Sequence, residues 1–313
     1  MSKLDASAAG LYVITVTPFD DQGRVDERST DMMVDFYRNA GATGLTILGI
    51  MGEAPKLDTT EAIAFSRQVV RRAEGLPVVV GASSPGFAAM RTLTRAVMDA
   101  GAAGVMIAPP ASLRTDDQIV TYYEQCVSAI GDDVPFVVQD FPQASGVVMS
   151  AGVIRRIITS LPSCVMLKAE DWPGLEKITA LRNLEREQNM RGVSILTGNG
   201  GVFLDFEMER GADGAMTGYA FPDMLSDVVR LQRDGKRDAA HDLFDAHLPL
   251  MRYEQQPGVG LAIRKATLKQ RGAILSDAQR APASRMTPLA RAEVNYLLQR
   301  LARHDARAKG LEI

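Results

Sequence analysis

Asn39-Ala40-Gly41-Ala42-Thr43-Gly44 stands directly before an apolar run at 45–50, and the phrase returns twice. Asp99-Ala100-Gly101-Ala102-Ala103-Gly104 precedes the run at 105–108, and Glu209-Arg210-Gly211-Ala212-Asp213-Gly214 precedes Ala215-Met216. Each copy reads the same way physically. The first glycine takes the left-handed position just past a helix C-terminus. The second lets the chain turn tightly into a buried strand. Short, similar helix-to-strand loops on one side of a parallel sheet are what a repeated βα unit requires.

Working outward from this phrase, eight strands are expected at 11–19, 45–50, 77–83, 105–110, 136–140, 165–170, 193–199 and 215–219. Most are short continuous apolar runs rich in Val and Ile, the composition of strands buried on both faces. Helical patterns lie between them. Met33, Phe36, Tyr37 and Ala40 follow the i, i+3, i+4, i+7 spacing, and Met90, Leu93, Val97 and Met98 mark another apolar face. Eight β-then-α units within residues 10–230 suit a (β/α)8 barrel, which typically takes ~250 residues. A doubly wound open sheet is the alternative, weakened because no Gly-x-Gly-x-x-Gly follows the first strand. Residues 231–313 are expected to form a helical domain, with segments at 235–252, 259–272 and 287–304. In the last, Thr287 is the N-cap and Pro288 the first helical residue, followed by an apolar stripe through Val294, Leu297, Leu298 and Leu301. No catalytic pattern stands out there, so this tail reads as a cover for the barrel or an oligomer face.

Composition narrows the function. The 313 residues are 46% hydrophobic with a formal net charge of -3. No basic stripe points to nucleic acid. No run reaches the ~20 apolar residues of a membrane span. Residues 1–10 have no apolar core and do not read as a secretory signal. The two cysteines, Cys126 and Cys164, form neither a disulfide framework nor a metal-ligand spacing, which fits a cytoplasmic setting. Both read as small core residues. The three histidines, His241, His247 and His304, all come late. Residues 1–240 therefore supply no Ser-His-Asp triad, no Cys-His pair and no histidine-ligated metal. Chemistry there falls to lysine, carboxylates, hydroxyls or backbone.

A (β/α)8 barrel works at the C-terminal ends of its strands. Those ends carry Gly49-Ile50-Met51-Gly52-Glu53, Gln139-Asp140-Phe141-Pro142, Leu167-Lys168-Ala169-Glu170, Thr197-Gly198-Asn199-Gly200-Gly201 and Thr217-Gly218-Tyr219. Lys168 is the anomaly, ending the apolar run Cys164-Val165-Met166-Leu167. Pointing inward it would lose hydration, which favours the neutral amine that attacks carbonyls. Position alone also allows a lysine whose ammonium reaches solvent. Strand alternation puts Glu170 on the face of Lys168 and turns Ala169 toward the helices. Glu170 then suits proton transfer, or forms a structural ion pair with Lys168 or a helix N-terminus. The glycine-rich ends at 49–52 and 197–201 either present backbone N–H groups to a carboxylate or phosphate, or are tight turns without function.

These residues carry a resemblance. Val16-Thr17-Pro18-Phe19, Gly49-x-x-Gly52-Glu53 with Ala54-Pro55, Pro142 with Gly146, Lys168, Gly198-Asn199 and Gly260-x-Ala262-Ile263-Arg264-Lys265 resemble the dihydrodipicolinate synthase / N-acetylneuraminate lyase family over nearly the whole chain. The resemblance implies a barrel with a helical C-terminal domain, assembled as a dimer or tetramer. It implies a Schiff base between Lys168 and a 2-oxo acid, most often pyruvate, with no metal or organic cofactor. The substrate carboxylate is expected at Gly49, Ile50, Met51 and Gly52, with Gly198, Asn199, Thr217 and Gly218 also binding substrate. The departures are specific. Ile50 and Met51 stand where hydroxyls are usual, and Gln139 where the family's proton-relaying tyrosine is expected. Ala111 replaces a tyrosine contributed by a neighbouring subunit, and Ala144 an arginine for the second substrate's carboxylate. Gln139-Asp140-x-Pro142 with Lys168-x-Glu170 is similar instead to the 2-keto-3-deoxy-sugar-acid dehydratases, in which the glutamate two beyond the lysine is thought to replace the tyrosine.

The expectation is a Schiff-base lyase acting on a 2-oxo acid, leaning to dehydratase, and not a working dihydrodipicolinate synthase. An aldolase acting next to the same imine is one alternative. A non-catalytic 2-oxo-acid binding protein is an alternative of another class.

Overall fold

A computed structural model describes residues 3–313; Met1 and Ser2, the start of the segment read as no leader, lie outside the described residues. Eight parallel strands close into a barrel: β1 (Gly10–Ile14), β2 (Gly44–Ile47), β3 (Val78–Gly81), β4 (Gly104–Ile107), β5 (Phe136–Asp140), β6 (Cys164–Ala169), β7 (Ser194–Thr197) and β8 (Gly214–Thr217). Strand β1 pairs with both β2 and β8, which excludes the open sheet. The expected strands overreach mainly at their C-terminal ends. The first was read as 11–19, yet the sheet releases the chain after Ile14. Pro18 has no N–H to donate to a ladder, and Phe19 pairs with Val25 in an isolated antiparallel bridge.

The repeated phrase has the expected geometry. Gly41, Gly101 and Gly211 all have positive φ, between 83° and 100°, one residue past the caps of α1 (Glu27–Asn39), α3 (Phe87–Asp99) and α8 (Leu204–Glu209). The second glycine has a sharper reason than a tight turn. A Cβ at Gly104 would lie 2.7 Å from the Pro135 carbonyl oxygen, and Cβ atoms at Gly44 and Gly214 would collide with Tyr12 and Gly10. No side chain fits at these three strand entries.

Alternation along the strands sorts the core into two layers. Tyr12, Ile14, Val79, Met106, Val137, Met166, Leu196 and Met216 fill the barrel interior. Leu11, Val13, Leu45, Val105, Val138, Leu167 and Ile195 face outward against the helices. Met33, Tyr37, Met90 and Val97 are the buried positions of the two helical stripes, while Phe36 is only partly covered. Cys126 and Cys164 are buried and free, and burial pushes their thiols up to about 11 and about 12.

The remaining helices are α2 (Thr59–Arg72), α4 (Asp116–Ile130), α5 (Pro142–Ser145), α6 (Ala151–Ser160), α7 (Leu175–Arg186), α9 (Pro222–Arg233), α10 (Arg237–Glu254), α11 (Gly260–Gln270) and α12 (Pro288–Leu301). The Thr287 side chain caps α12 by accepting from Ala290 N–H. A buried chain of polar contacts ties α10 to the segment after β8 and to the segment after α12: His247 Nδ1 lies 3.1 Å from the Tyr219 hydroxyl, and Nε2 lies 2.9 Å from Asp305. Among the described residues, no helix is long and apolar enough to cross a membrane.

Candidate active site at the C-terminal mouth of the barrel

Lys168 continues the inward row of β6 one step above Met166, and Glu170 continues it one step further. The register sets Gln139 of β5 beside Lys168. Three inward polar side chains therefore meet above the apolar barrel core. Lys168 Nζ lies 2.9 Å from Glu170 Oε2. Gln139 Nε2 donates to the same oxygen at 2.8 Å, and the Asn199 backbone N–H donates to Oε1 at 3.1 Å. Lys168, Glu170 and Gln139 are each 4–5% exposed. Lys168 thus does not extend its ammonium into solvent, and Glu170 makes both contacts weighed for it: an ion pair and a hydrogen bond to the start of the short 3-10 turn Asn199–Gly201.

The neighbouring outward residue is set apart by the same alternation. Asp140 faces the helices and pairs with Lys177 at 2.7 Å. Burial is the main cause pushing its carboxyl up to about 6, against the pull of Lys177. It belongs to the supporting layer.

A cavity of about 630 Å³ opens over this cluster. Lys168, Glu170, Gln139, Ile50, Met51, Asn199, Thr217 and Gly218 all line it. Three expected binding residues do not. Gly52 is buried under the turn, where its carbonyl accepts from Thr17 Oγ1 at 2.5 Å. Gly49 borders a second, smaller chamber of about 320 Å³, which also includes Ala111 and shares Ile50, Gln139, Phe141 and Ala144 with the first. Gly198 is glycine because any Cβ there would collide with the Glu170 side chain. It makes room for the carboxylate and forms no cavity wall. The amides of Ile50 and Met51 open a 3-10 turn, where the first N–H groups have no partner within the turn.

The tail contributes more than cover, contrary to its sequence reading. Lys265 is fully buried on α11 and donates to Glu53 at 2.6 Å and to the carbonyls of Thr17 and Ala278 at 2.8 Å each. Burial pushes its ammonium pKa down, opposed by Glu53. Glu53 itself sits at φ 55°, strained for a non-glycine residue, and also binds Lys56 at 2.8 Å. This network clamps the 49–53 turn to the tail. Arg264, on the same helix, and Glu254, at the end of α10, form part of the cavity wall. Sequence reasoning noticed Gly260-x-Ala262-Ile263-Arg264-Lys265 only as a matching motif. The available signal was two adjacent cations between the apolar residues Leu261-Ala262-Ile263 and Ala266.

The fold and this mouth define a (β/α)8-barrel protein whose polar cluster occupies the usual site at the strand ends. The chain belongs to the dihydrodipicolinate synthetase family, whose model matches residues 7–301, and it is a lyase. It is 32% identical over 299 residues to an L-2-keto-3-deoxyarabonate dehydratase from Azospirillum brasilense, covering 93% of this chain and 94% of that protein. It is also 32% identical over 257 residues to a 4-hydroxy-tetrahydrodipicolinate synthase from Sorangium cellulosum, covering 80% and 81%. A crystal structure reported as dihydrodipicolinate synthase from Rhodopseudomonas palustris superposes with a TM-score of 0.95 at 61% identity, covering 96% of this chain and all of that one.

Proposed function

We propose that this lyase forms a Schiff base through Lys168 and dehydrates a 2-keto-3-deoxy sugar acid. The observation that carries the reading is the placement of Glu170 2.9 Å from the amine, with Gln139 where a phenol would be expected. An amide cannot transfer a proton as a phenol does. Glu170 is thus the acid/base group beside the amine.

The steps balance with these residues alone and need no metal or organic cofactor. The neutral Lys168 amine adds to the C2 carbonyl, and the carbinolamine loses water to give an iminium. The iminium acidifies a C3–H. Glu170 takes that proton, and the electron pair becomes an enamine. Glu170 then protonates the C4 hydroxyl, which leaves as water while the enamine electrons form a C3–C4 double bond and restore the iminium. When the acid carries a C5 hydroxyl, Glu170, ionised again by that transfer, takes a C5 proton and returns it to C3, which gives the enol of an aldehyde. Water finally hydrolyses the imine. The substrate carboxylate docks on the Ile50 and Met51 amides. The reading includes a homo-oligomer, a dimer or tetramer, which a solution mass measurement tests.

A second reading, carbon–carbon bond formation or cleavage at the same imine, is favoured by the synthase reported at 61% identity. Against cleavage stands Gln139, where the resemblance implies the proton-relaying tyrosine, and against dihydrodipicolinate synthesis in particular stand Ala111 and Ala144, where it implies a tyrosine and an arginine. Two assays decide. With a 2-keto-3-deoxy pentonate, water loss and a semialdehyde without free pyruvate support dehydration, while pyruvate release moves the assignment to aldolase. With pyruvate and aspartate semialdehyde, little or no turnover is expected; a robust rate overturns the dehydratase reading.

A further inference from the structure

Position 218 continues the inward row of β8 one step above Met216, yet glycine leaves its side-chain slot empty. The slot is filled from outside the barrel. A Cβ on Gly218 would lie 2.5 Å from Arg264 Nη1 and 2.7 Å from the Ile14 carbonyl oxygen. The Arg264 guanidinium therefore takes the place of an inward side chain at the mouth, delivered by α11. The residue is 2% exposed. Its Nε donates to Glu254 at 2.6 Å and its Nη2 donates to the Gly218 carbonyl, but buried Nη1 has no hydrogen-bond partner among the described residues. The Asn199 side-chain amide nitrogen, on the same cavity, is likewise buried without a partner. Unmade hydrogen bonds of this kind are costly, and two on one cavity point to a ligand that completes them.

We propose that Arg264 and Asn199 form a specificity site for hydroxyl oxygens at the far end of the substrate. This rests on the 2-oxo-acid reading above and adds the chemistry of the tail. The charges select the class of group. Buried Glu254 neutralises Arg264, Glu170 pairs with Lys168, and Lys56 is held by Glu53 and the Arg280 carbonyl. Donors remain on this wall, but every cation facing the cavity is already paired. A second carboxylate or a phosphate would find no free counter-charge there. A neutral hydroxylated tail finds donors and loses nothing. Arg264 thus discriminates polyhydroxylated 2-oxo acids from bare pyruvate.

The test uses Arg264→Lys, which keeps the charge opposite Glu254 but removes the guanidinium fork, and Asn199→Gly, which tolerates the positive φ of 53° and keeps the backbone N–H that holds Glu170. Borohydride trapping is titrated with pyruvate, with a 2-keto-3-deoxy pentonate and with its 5-deoxy analogue. In Arg264→Lys, half-saturation for the pentonate is expected to rise about 10-fold or more relative to pyruvate, and the preference for pentonate over 5-deoxy analogue should shrink. Asn199→Gly should shift the same ratio in the same direction. A parallel change for all three ligands, or an unchanged ratio in both variants, overturns the specificity site. No adduct in the wild type with any of the three refutes the Schiff-base reading itself, which is a separate outcome.

Discussion

Lys168 Nζ and Glu170 Oε2 lie 2.9 Å apart, both side chains buried, and among the described residues each is the other's only ionic partner. The pair is net neutral, so the barrel carries it without an uncompensated buried charge. It also brings a nucleophile and a proton carrier to within one hydrogen bond. Proton exchange between them would leave the amine free to attack and the acid protonated, without any outside group.

Lys168→Arg should abolish covalent trapping. A guanidinium stays protonated and does not add to a carbonyl. Mass spectrometry after pyruvate and borohydride should find one added ligand per wild-type chain, on Lys168, and none on the variant. Labelling at another lysine would remove Lys168 from the mechanism.

Glu170→Gln should separate imine formation from turnover. The amide still accepts from Asn199 N–H, so the borohydride adduct is expected to form. Loss of the acid/base group should lower kcat by about 10²–10⁴-fold. Full activity in this variant would assign the proton transfers elsewhere.

Lys265→Met should destabilise the fold by roughly 3 kcal/mol, because it strips a buried partner from Glu53. The cost should fall at the low end for a broken buried pair, since Lys56 still reaches Glu53. The 49–53 turn should also loosen, raising the half-saturation concentration for pyruvate. Urea unfolding and the trapping titration read the two effects, and unchanged values in both would show that the clamp contributes nothing.

Glu207→Gln should reverse a pH-dependent loss of stability. Burial pushes the Glu207 carboxyl up from 4.5 to about 8, and its Oε2 has no partner among the described residues. A folded pKa above the unfolded one means that the group's contribution is fully present below pH 4.5 and is lost as pH rises toward 8. The glutamine variant lacks this term. Its stability relative to wild type should therefore improve by on the order of a few kcal/mol between pH 5 and pH 9. Parallel urea-unfolding profiles of the two proteins across that range would contradict the buried-carboxyl account.

Local sequence determined the barrel, since its elements repeat with a period the chain itself displays. Gly41, Gly101 and Gly211 announce helix ends because only their backbone tolerates those angles, and the Val- and Ile-rich runs announce strands buried on both faces. Lys168 and Glu170 were legible for the same reason: alternation within one strand is a local rule. Tertiary structure alone decided what surrounds them. Gln139 meets Glu170 from a strand about thirty residues away, Gly198 is empty to admit that carboxylate, and Arg264 fills the slot that Gly218 vacates from a helix 46 positions later. No spacing rule connects such residues, because the contacts are set by register between strands and by how a distant helix packs over the mouth.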